Sequence, residues 1–305
     1  MRPGCAARSS RARPARPPDA PLFLMQETAY AKLNLALHVR ARGADGYHAI
    51  ETIFAFCEDG DTLAVGPSED ALSLSISGPF AAALEGEGDN LVLAGARMLK
   101  GFEALAGRRF PGAALHLDKR LPVAAGLGGG SADAGAAIRL LDRFWAAGID
   151  PKDLCLSAAS LGADVPACIV SETRIGLGTG TDLAMPGRND AAGLPVLLVN
   201  PGVKLATGPV FRAWDQVDRG GLARGSVLDT ALAGRNDLEP AAISLCPAVG
   251  EVLALLGSTS PLLARMSGSG ATCFGLYRSE ADRDAAAARI SAARPAWWML
   301  KTRLR

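Results

Sequence analysis

The sequence predicts an α+β fold in two domains. Three observations carry this. Strands with alternating apolar residues are grouped with helices instead of strictly alternating with them, a glycine-rich loop joins a strand to a helix near mid-chain, and beyond about residue 176 the texture becomes Gly/Pro-punctuated. With 305 residues, 49% of them hydrophobic, the chain can bury two cores of ordinary size. A first domain over 25–175 and a second over 176–305 follow, with the last residues returning to pack on the first.

Residues 1–24 stand apart. They hold five arginines, five prolines and a single acid, Asp19, and read as a disordered or non-native extension ahead of Met25. A transit peptide is the alternative, but prolines stand where an amphipathic helix would form. Ordered patterning begins at Thr28: Leu33, Leu35, Leu37 and Val39 alternate as one buried face of a strand, with Lys32 and Asn34 together on the other. Alternation at 72–76 and 114–117 predicts two more strands. Between them, Leu91, Ala94, Met98, Leu99 and Phe102 place a helix over 90–105 with Asp89 as its N-cap.

Residues 121–135 form a strand end, a glycine-rich loop and a helix start. The helix runs over 136–147 on a face of Ala137, Ile138, Leu141, Phe144 and Trp145, and Gly148 stops it. A short helix over 154–161 precedes Gly162-Ala-Asp-Val-Pro166. In the second domain an apolar strand at 195–199 ends in the turn Asn200-Pro-Gly202. Helices are expected over 236–245 and 249–256, and the glycine-rich stretch 265–277 leads through a strand into a helix over 280–292.

Composition removes several function classes. Lys+Arg 32 against Asp+Glu 31 leaves a net charge of +1, and outside the first 24 residues the balance is 27 basic to 30 acidic, so no basic field exists to hold nucleic acid. No run of about 18 apolar residues supports a membrane span. The six cysteines and three histidines are dispersed without metal-ligand spacing or a disulfide framework, which points to a reducing cytoplasm.

The strongest chemical signal is Gly126-Leu-Gly-Gly-Gly-Ser131 at a helix start. Without Cβ atoms the backbone can fold closely round an anion, and the unpaired N–H groups of the first helical turn point at it, so the loop reads as a phosphate cradle. It is neither a P-loop, because no lysine lies between Lys119 and Lys152, nor a dinucleotide fingerprint, because Ser131 stands in place of the third glycine. A plain turn is the bland reading of the loop taken alone. Lys32 alone would be a solvated edge lysine, and Asp164 alone a turn cap.

Taken in order, Tyr30-Ala-Lys-Leu-Asn34, the loop of residues 121–132 and Ser267-Gly-Ser-Gly-Ala271 resemble the three motifs of the GHMP kinase superfamily. Asp45-Gly-Tyr-His48, Leu161-Gly-Ala-Asp-Val-Pro166 and Pro201-Gly-Val are similar to its branch acting on a cytidine diphosphate-linked methylerythritol. The resemblance runs from about residue 28 to the end. It implies a two-domain GHMP kinase fold, with a left-handed βαβ-type element in the ATP-binding domain and a smaller α+β substrate domain. It also implies ATP-dependent phosphorylation of the acceptor's 2-hydroxyl, in the non-mevalonate route to isoprenoid precursors.

By the same resemblance Asp164 is the catalytic base and Lys32 its partner. Pro122, Val123, Ala124, Ala125, Gly126, Leu127, Gly128, Gly129, Gly130, Ser131 and Ala132 bind the ATP phosphates. Mg²⁺ accompanies ATP, reached by Ser131 or Asp133 directly or through water. Tyr47 and His48 take the cytosine, Phe211 covers its other face, and Asn34 and Thr207 contact the acceptor; Gly208-Pro209 stands where the family has a proline after Thr207. A cytoplasmic monomer or weak homodimer is expected. The rivals are another small-molecule kinase of the superfamily, of mevalonate or homoserine type, and a non-catalytic nucleotide-binding protein.

Overall fold

The computed structural model describes residues 22–44, 46–69, 71–85 and 90–305. Most of the N-terminal extension, Asp45 of the Asp-Gly-Tyr-His motif and the expected cap Asp89 lie outside the described residues. The first domain is built on a long antiparallel hairpin of β1 (Met25–Arg42) and β2 (His48–Ser68). Its sheet runs β3 (Leu72–Ser77), β4 (Gly112–Asp118), β2, β5 (Arg174–Leu177), β6 (Asp182–Ala184), with β1 also paired to β2. β3 and β4 are parallel neighbours, joined through α1 (Leu91–Lys100) and α2 (Glu103–Ala106) as a βαβ unit. The boundary placed near residue 175 falls inside β5, and the first sheet continues through Ala184 because β5 and β6 close onto β2.

Three helices follow the glycine loop: α3 (Gly129–Phe144), α4 (Pro151–Ala158) and α5 (Val165–Val170). The second domain holds β7 (Pro195–Asn200), α6 (Thr207–Arg212), α7 (Val227–Ala233), α8 (Glu239–Leu245) and α9 (Ala248–Gly257), then β8 (Leu263–Met266), β9 (Cys273–Leu276), α10 (Glu280–Ala293) and β10 (Trp298–Arg303). Its sheet order is β10-β7-β9-β8, antiparallel throughout. The chain end returns to the first domain: Arg305 N donates to Phe56 O, and its guanidinium lies 3.7 Å from the Tyr30 ring centre. A shared core of Leu33, Leu35 and Leu127 from one side with Val196, Leu198 and Phe274 from the other joins the two sheets.

The structure departs from several local expectations. β1 is buried continuously from Ala31 to Val39, not on one face: the second domain's sheet covers Leu33 and Leu35, while the glycine loop, Phe54 and Asp164 of the first domain close over Lys32 on the other side. The helix expected over 90–105 breaks at Gly101 into α1 and the one-turn α2, and Asn90 itself caps α1, its Oδ1 accepting from Val92 N at 2.8 Å. β2 was not expected as a strand, since Asp59, Gly60 and Asp61 interrupt its alternation; Gly60 is needed there because a Cβ would lie 1.9 Å from Ala29 O. The helix expected over 136–147 begins seven residues earlier, at Gly129.

Small residues set how closely α3 packs. A Cβ on Gly135 would lie 2.7 Å from the Cys168 carbonyl carbon in α5, and backbone cannot yield as a side-chain tip can. Gly135→Ala is therefore expected to destabilise by about 1–3 kcal/mol through overpacking. Gly250→Ala in α9 meets only the Ile243 side chain, at 3.5 Å, and is expected to be neutral or stabilising by up to ~1 kcal/mol through helix propensity. Urea midpoints check the pair: lower than wild type for Gly135→Ala, unchanged or higher for Gly250→Ala.

Candidate active site

The glycine loop turns tightly because three of its residues are left-handed: Ala124, Gly126 and Gly128, at φ of 53°, 76° and 60°. Gly126 has no room for a side chain, since a Cβ would lie 2.4 Å from Ser267 O, so the loop sits directly on the second domain's glycine-rich turn. Ser267 Oγ fastens the two, donating to Gly126 O at 2.9 Å and accepting from Asn34 N at 3.3 Å. Gly128 is the N-cap of α3 and supplies no side-chain acceptor, which leaves the N–H groups of the first turn for a ligand. With a 16-residue helix behind them, these groups favour an anion.

That turn faces a cavity of about 400 Å³ whose walls include Ala124, Gly129, Gly130 and Ser131 with Lys32, Asn34 and Asp164. Lys32 Nζ and Asp164 Oδ2 are 2.9 Å apart, although 132 positions separate them in the chain. The lysine side chain is 4% exposed and the carboxylate 34%, so the cation is fixed in protein while the acid opens onto the cavity. Lys32 Nζ also donates to Asn34 Oδ1 at 2.9 Å, Asn34 Nδ2 donates to Thr52 Oγ1 at 2.8 Å, and Thr52 Oγ1 donates to Ala36 O at 2.6 Å. Each member of this chain is satisfied, which holds the ammonium in one place. The loop comes close enough that a Cβ on Gly128 would lie 2.8 Å from Lys32 Cε and 3.6 Å from Asp164 Oδ2.

Of the remaining loop residues, Pro122, Leu127 and Ala132 are buried and line neither this cavity nor its neighbours, whereas Leu127 O accepts the Lys32 backbone N–H at 3.1 Å. Val123 instead lines an adjoining cleft of about 120 Å³, which shares Leu91, Ala124, Gly129 and Gly130 with the first cavity and is further walled by Leu84, Lys119 and Asp133. Lys119 Nζ there bonds Asp61 Oδ2 and Asp133 Oδ2, both at 2.6 Å, and all three side chains are at most 4% exposed. Burial alone would pull Lys119 down, but the two carboxylates outweigh it and raise its pKa; burial pushes Asp133 well above the carboxylate range despite the lysine. Asp133 is thus committed beneath the loop.

A second cavity of about 400 Å³ adjoins the first, and Ile50, Ala163, Thr179, Thr207 and Phe211 line both. Tyr47 and His48 stand on its wall. The His48 ring packs 5.0 Å from Phe211 at 46° and edge-on to Trp214 at 5.8 Å, so Phe211 leans on the imidazole, and Tyr47 is 65% exposed at the mouth. Thr207 Oγ1 lies 3.0 Å from Ser269 Oγ at the junction of the cavities. Burial, aided by the nearby Arg42 charge, lowers the His48 pKa. Sequence reasoning missed Trp214, Thr179 and the Lys119 cluster; only Thr179 had a local signal, between two glycines of a hairpin turn.

Among the described residues no helix is long and apolar enough to cross a membrane, and no group of three or more His, Cys, Asp or Glu could hold a metal ion. Residues 90–172 match the family model of the GHMP kinases N terminal domain, and residues 222–296 that of the GHMP kinases C terminal. The chain is 57% identical to a 4-diphosphocytidyl-2-C-methyl-D-erythritol kinase of Rhizorhabdus wittichii, over 92% of this chain and 94% of that one. It is 53% identical to the protein of the same name from Novosphingobium aromaticivorans, over 92% and 93%. A crystal structure of 4-(cytidine 5'-diphospho)-2C-methyl-D-erythritol kinase superposes with a TM-score of 0.75 at 31% identity, covering 92% of this chain and 99% of that chain. The mevalonate kinase of L. major, at 14% identity and a TM-score of 0.62 over 93% and 98% of the two chains, shares the fold.

Proposed function

The chain belongs to the 4-diphosphocytidyl-2-C-methyl-D-erythritol kinases of the GHMP superfamily, and from that premise we propose that Lys32 and Asp164 transfer the γ-phosphoryl group of ATP to the acceptor's 2-hydroxyl. The single observation that carries the assignment is the 2.9 Å pair of Lys32 and Asp164 beside the glycine turn. ATP phosphates lie over the N–H groups at the start of α3. The ion pair and the cavity of Tyr47 and His48 take the acceptor, so the purine takes the adjoining small cleft of Leu84, Leu91 and Val123.

In the transfer, the acceptor oxygen forms a bond to the γ-phosphorus as the bond from phosphorus to the bridging oxygen breaks, ADP leaves, and the hydroxyl proton passes to Asp164. An alcohol is a poor nucleophile at neutral pH, and a carboxylate within hydrogen-bond reach contributes typically 10²–10⁴-fold. Lys32 holds that carboxylate in place, and with two of its three hydrogens given to Asp164 and Asn34 it has one left for a phosphoryl oxygen. Mg²⁺ would be held mainly by ATP itself, with the Ser131 hydroxyl facing the cavity as the nearest protein ligand, and would offset phosphate charge there.

The base of the acceptor occupies the cavity of Tyr47, His48 and Phe211, with the neutral imidazole offering one donor and one acceptor to the pyrimidine edge. This cavity favours the cytidine-linked acceptor over a mevalonate- or homoserine-type one. Loop, ion pair and both cavities come from one chain, which supports a monomer as the working unit. ADP release coupled to NADH oxidation, measured with 4-diphosphocytidyl-2-C-methyl-D-erythritol, mevalonate and homoserine in turn, tests the reading: turnover with the first alone is expected, and turnover confined to another alcohol would refute it.

The His48 shift sets a pH profile. Because its pKa lies below the ordinary 6.5, the ring is neutral above that value, and the acceptor KM is expected to stay flat from pH 8 to about 6.5. It should rise only at lower pH, as protonation removes the ring's acceptor. A KM that already climbs between pH 8 and 7 would exclude His48 from the base contact.

A further inference from the structure

Two guanidinium groups open onto the base cavity with no carboxylate paired to them among the described residues. Arg42 ends β1, Arg212 ends α6, and both line the cavity of Tyr47, His48 and Phe211. Among the described residues neither makes an ion pair, whereas arginines nearby do: Arg40 with Glu51 and Asp218, Arg219 with Asp215, Arg235 with Asp237. Arg212 folds back over the first turn of its own helix, its Nη1 lying 3.2 Å from where a Cβ on Gly208 would be, and Gly208 is itself part of the cavity wall. The Arg42 charge is close enough to His48 to help keep that ring neutral.

A charge count along the cleft shows what these side chains await. In the first cavity the charged walls are Lys32 and Asp164, which cancel; in the second they are Arg42 and Arg212, which do not. Among the described residues the cleft therefore carries two uncompensated positive charges at its outer end. An acceptor built as base, ribose, diphosphate and polyol carries two negative charges on its diphosphate. With the base against Tyr47, His48 and Phe211 and the reacting hydroxyl at Asp164, the diphosphate has to lie between, along the stretch that Thr179 and Thr207 share.

We propose that Arg42 and Arg212 hold the acceptor's diphosphate, approaching it from the base side, and that they make this group the feature by which the enzyme tells its acceptor from an unphosphorylated alcohol or a bare nucleoside. The proposal rests on the acceptor reading above. The pairing is charge-assisted and partly open to solvent, so each arginine contributes modestly, and the attraction weakens with salt.

The test combines kinetics with binding. R42Q and R212Q are each expected to raise the acceptor KM about fivefold and R42Q/R212Q about 25-fold, with kcat within about threefold and the ATP KM unchanged. Raising ionic strength should increase the acceptor KM of the wild type and leave that of the double variant nearly flat. Calorimetric titration with cytidine and with CDP should show at least about tenfold preference for CDP in the wild type and loss of most of it in R42Q/R212Q. An unchanged acceptor KM in the double variant, or a CDP preference that survives it, overturns the proposal. A wild type that turns over no cytidine-linked acceptor would instead overturn the assigned reaction, while the CDP titration still decides the role of the arginines.

Discussion

Replacing Asp164 by Asn is expected to lower kcat by about 10³-fold, within the range that a positioned general base contributes, and to leave the ATP KM within a few-fold of wild type. The amide keeps the size of the carboxylate and can still accept from Lys32 Nζ, now 2.9 Å from Oδ2, so the ammonium keeps a partner. What it loses is the capacity to take the hydroxyl proton. Lys32 is 4% exposed and loses its counter-charge, so the exchange is expected to lower the melting temperature, and kcat is read well below the melting temperature of the variant. Single-turnover measurement of phosphorylated product at saturating ATP separates chemistry from product release. A kcat within tenfold of wild type would remove Asp164 from the role of base and leave phosphate positioning as the source of the rate. Asn34→Ala offers a graded companion: it frees Lys32 from Oδ1 and Thr52 from Nδ2, and should reduce kcat by a smaller factor through a mobile ammonium.

How far the site could be read from the chain depended on whether its contacts are local. Lys32 and Asn34 are two residues apart on a strand, and the glycine loop is contiguous, so spacing alone grouped them. Asp164 had no local distinction beyond a Gly-Ala-Asp-Val-Pro turn, and only the family pattern joined it to Lys32. Burial was misjudged where the covering surface comes from far away: Lys32 looked like a solvated lysine because nothing near it in the chain shows the glycine loop and Asp164, about a hundred residues on, closing over that face. Trp214, which steadies His48, likewise lies 166 positions from it and gives no signal of its own. Apolar runs such as β7, buried at all six residues, were legible because burial on both faces leaves a continuous hydrophobic record. β2 was not, since its middle carries Asp59, Gly60 and Asp61, and the reason an acid belongs there is a lysine 58 positions on.

That lysine supports the second prediction. Lys119→Met keeps the length of the side chain and removes the only cation between Asp61 and Asp133 among the described residues, and it is expected to cost about 3–5 kcal/mol, the loss that follows when a buried charge is left uncompensated. In a chain of this size that is a fall in melting temperature of roughly 6–20 °C. The two acids are not equivalent. Asp61 also accepts the backbone N–H groups of Arg120 and Leu121, whereas Asp133 Oδ1 has no hydrogen-bond partner and burial pushes its carboxyl up. Without Lys119 the attraction that lowers Asp133 is gone, so its folded pKa lies still further above the unfolded one. The folded variant would then bind more protons than the unfolded chain, so its stability would rise as pH falls through that folded value. The gap in melting temperature between Lys119→Met and wild type should therefore be widest at pH 8 and narrow toward pH 5. A purely steric effect of the methionine would give a gap independent of pH, and that result would show the cluster to be packing, not charge. Because Lys119 Nζ sits 3.1 Å from where a Cβ on Gly129 would be, the same variant should loosen the start of α3 and raise the ATP KM, even at pH 5 where the protein is restored.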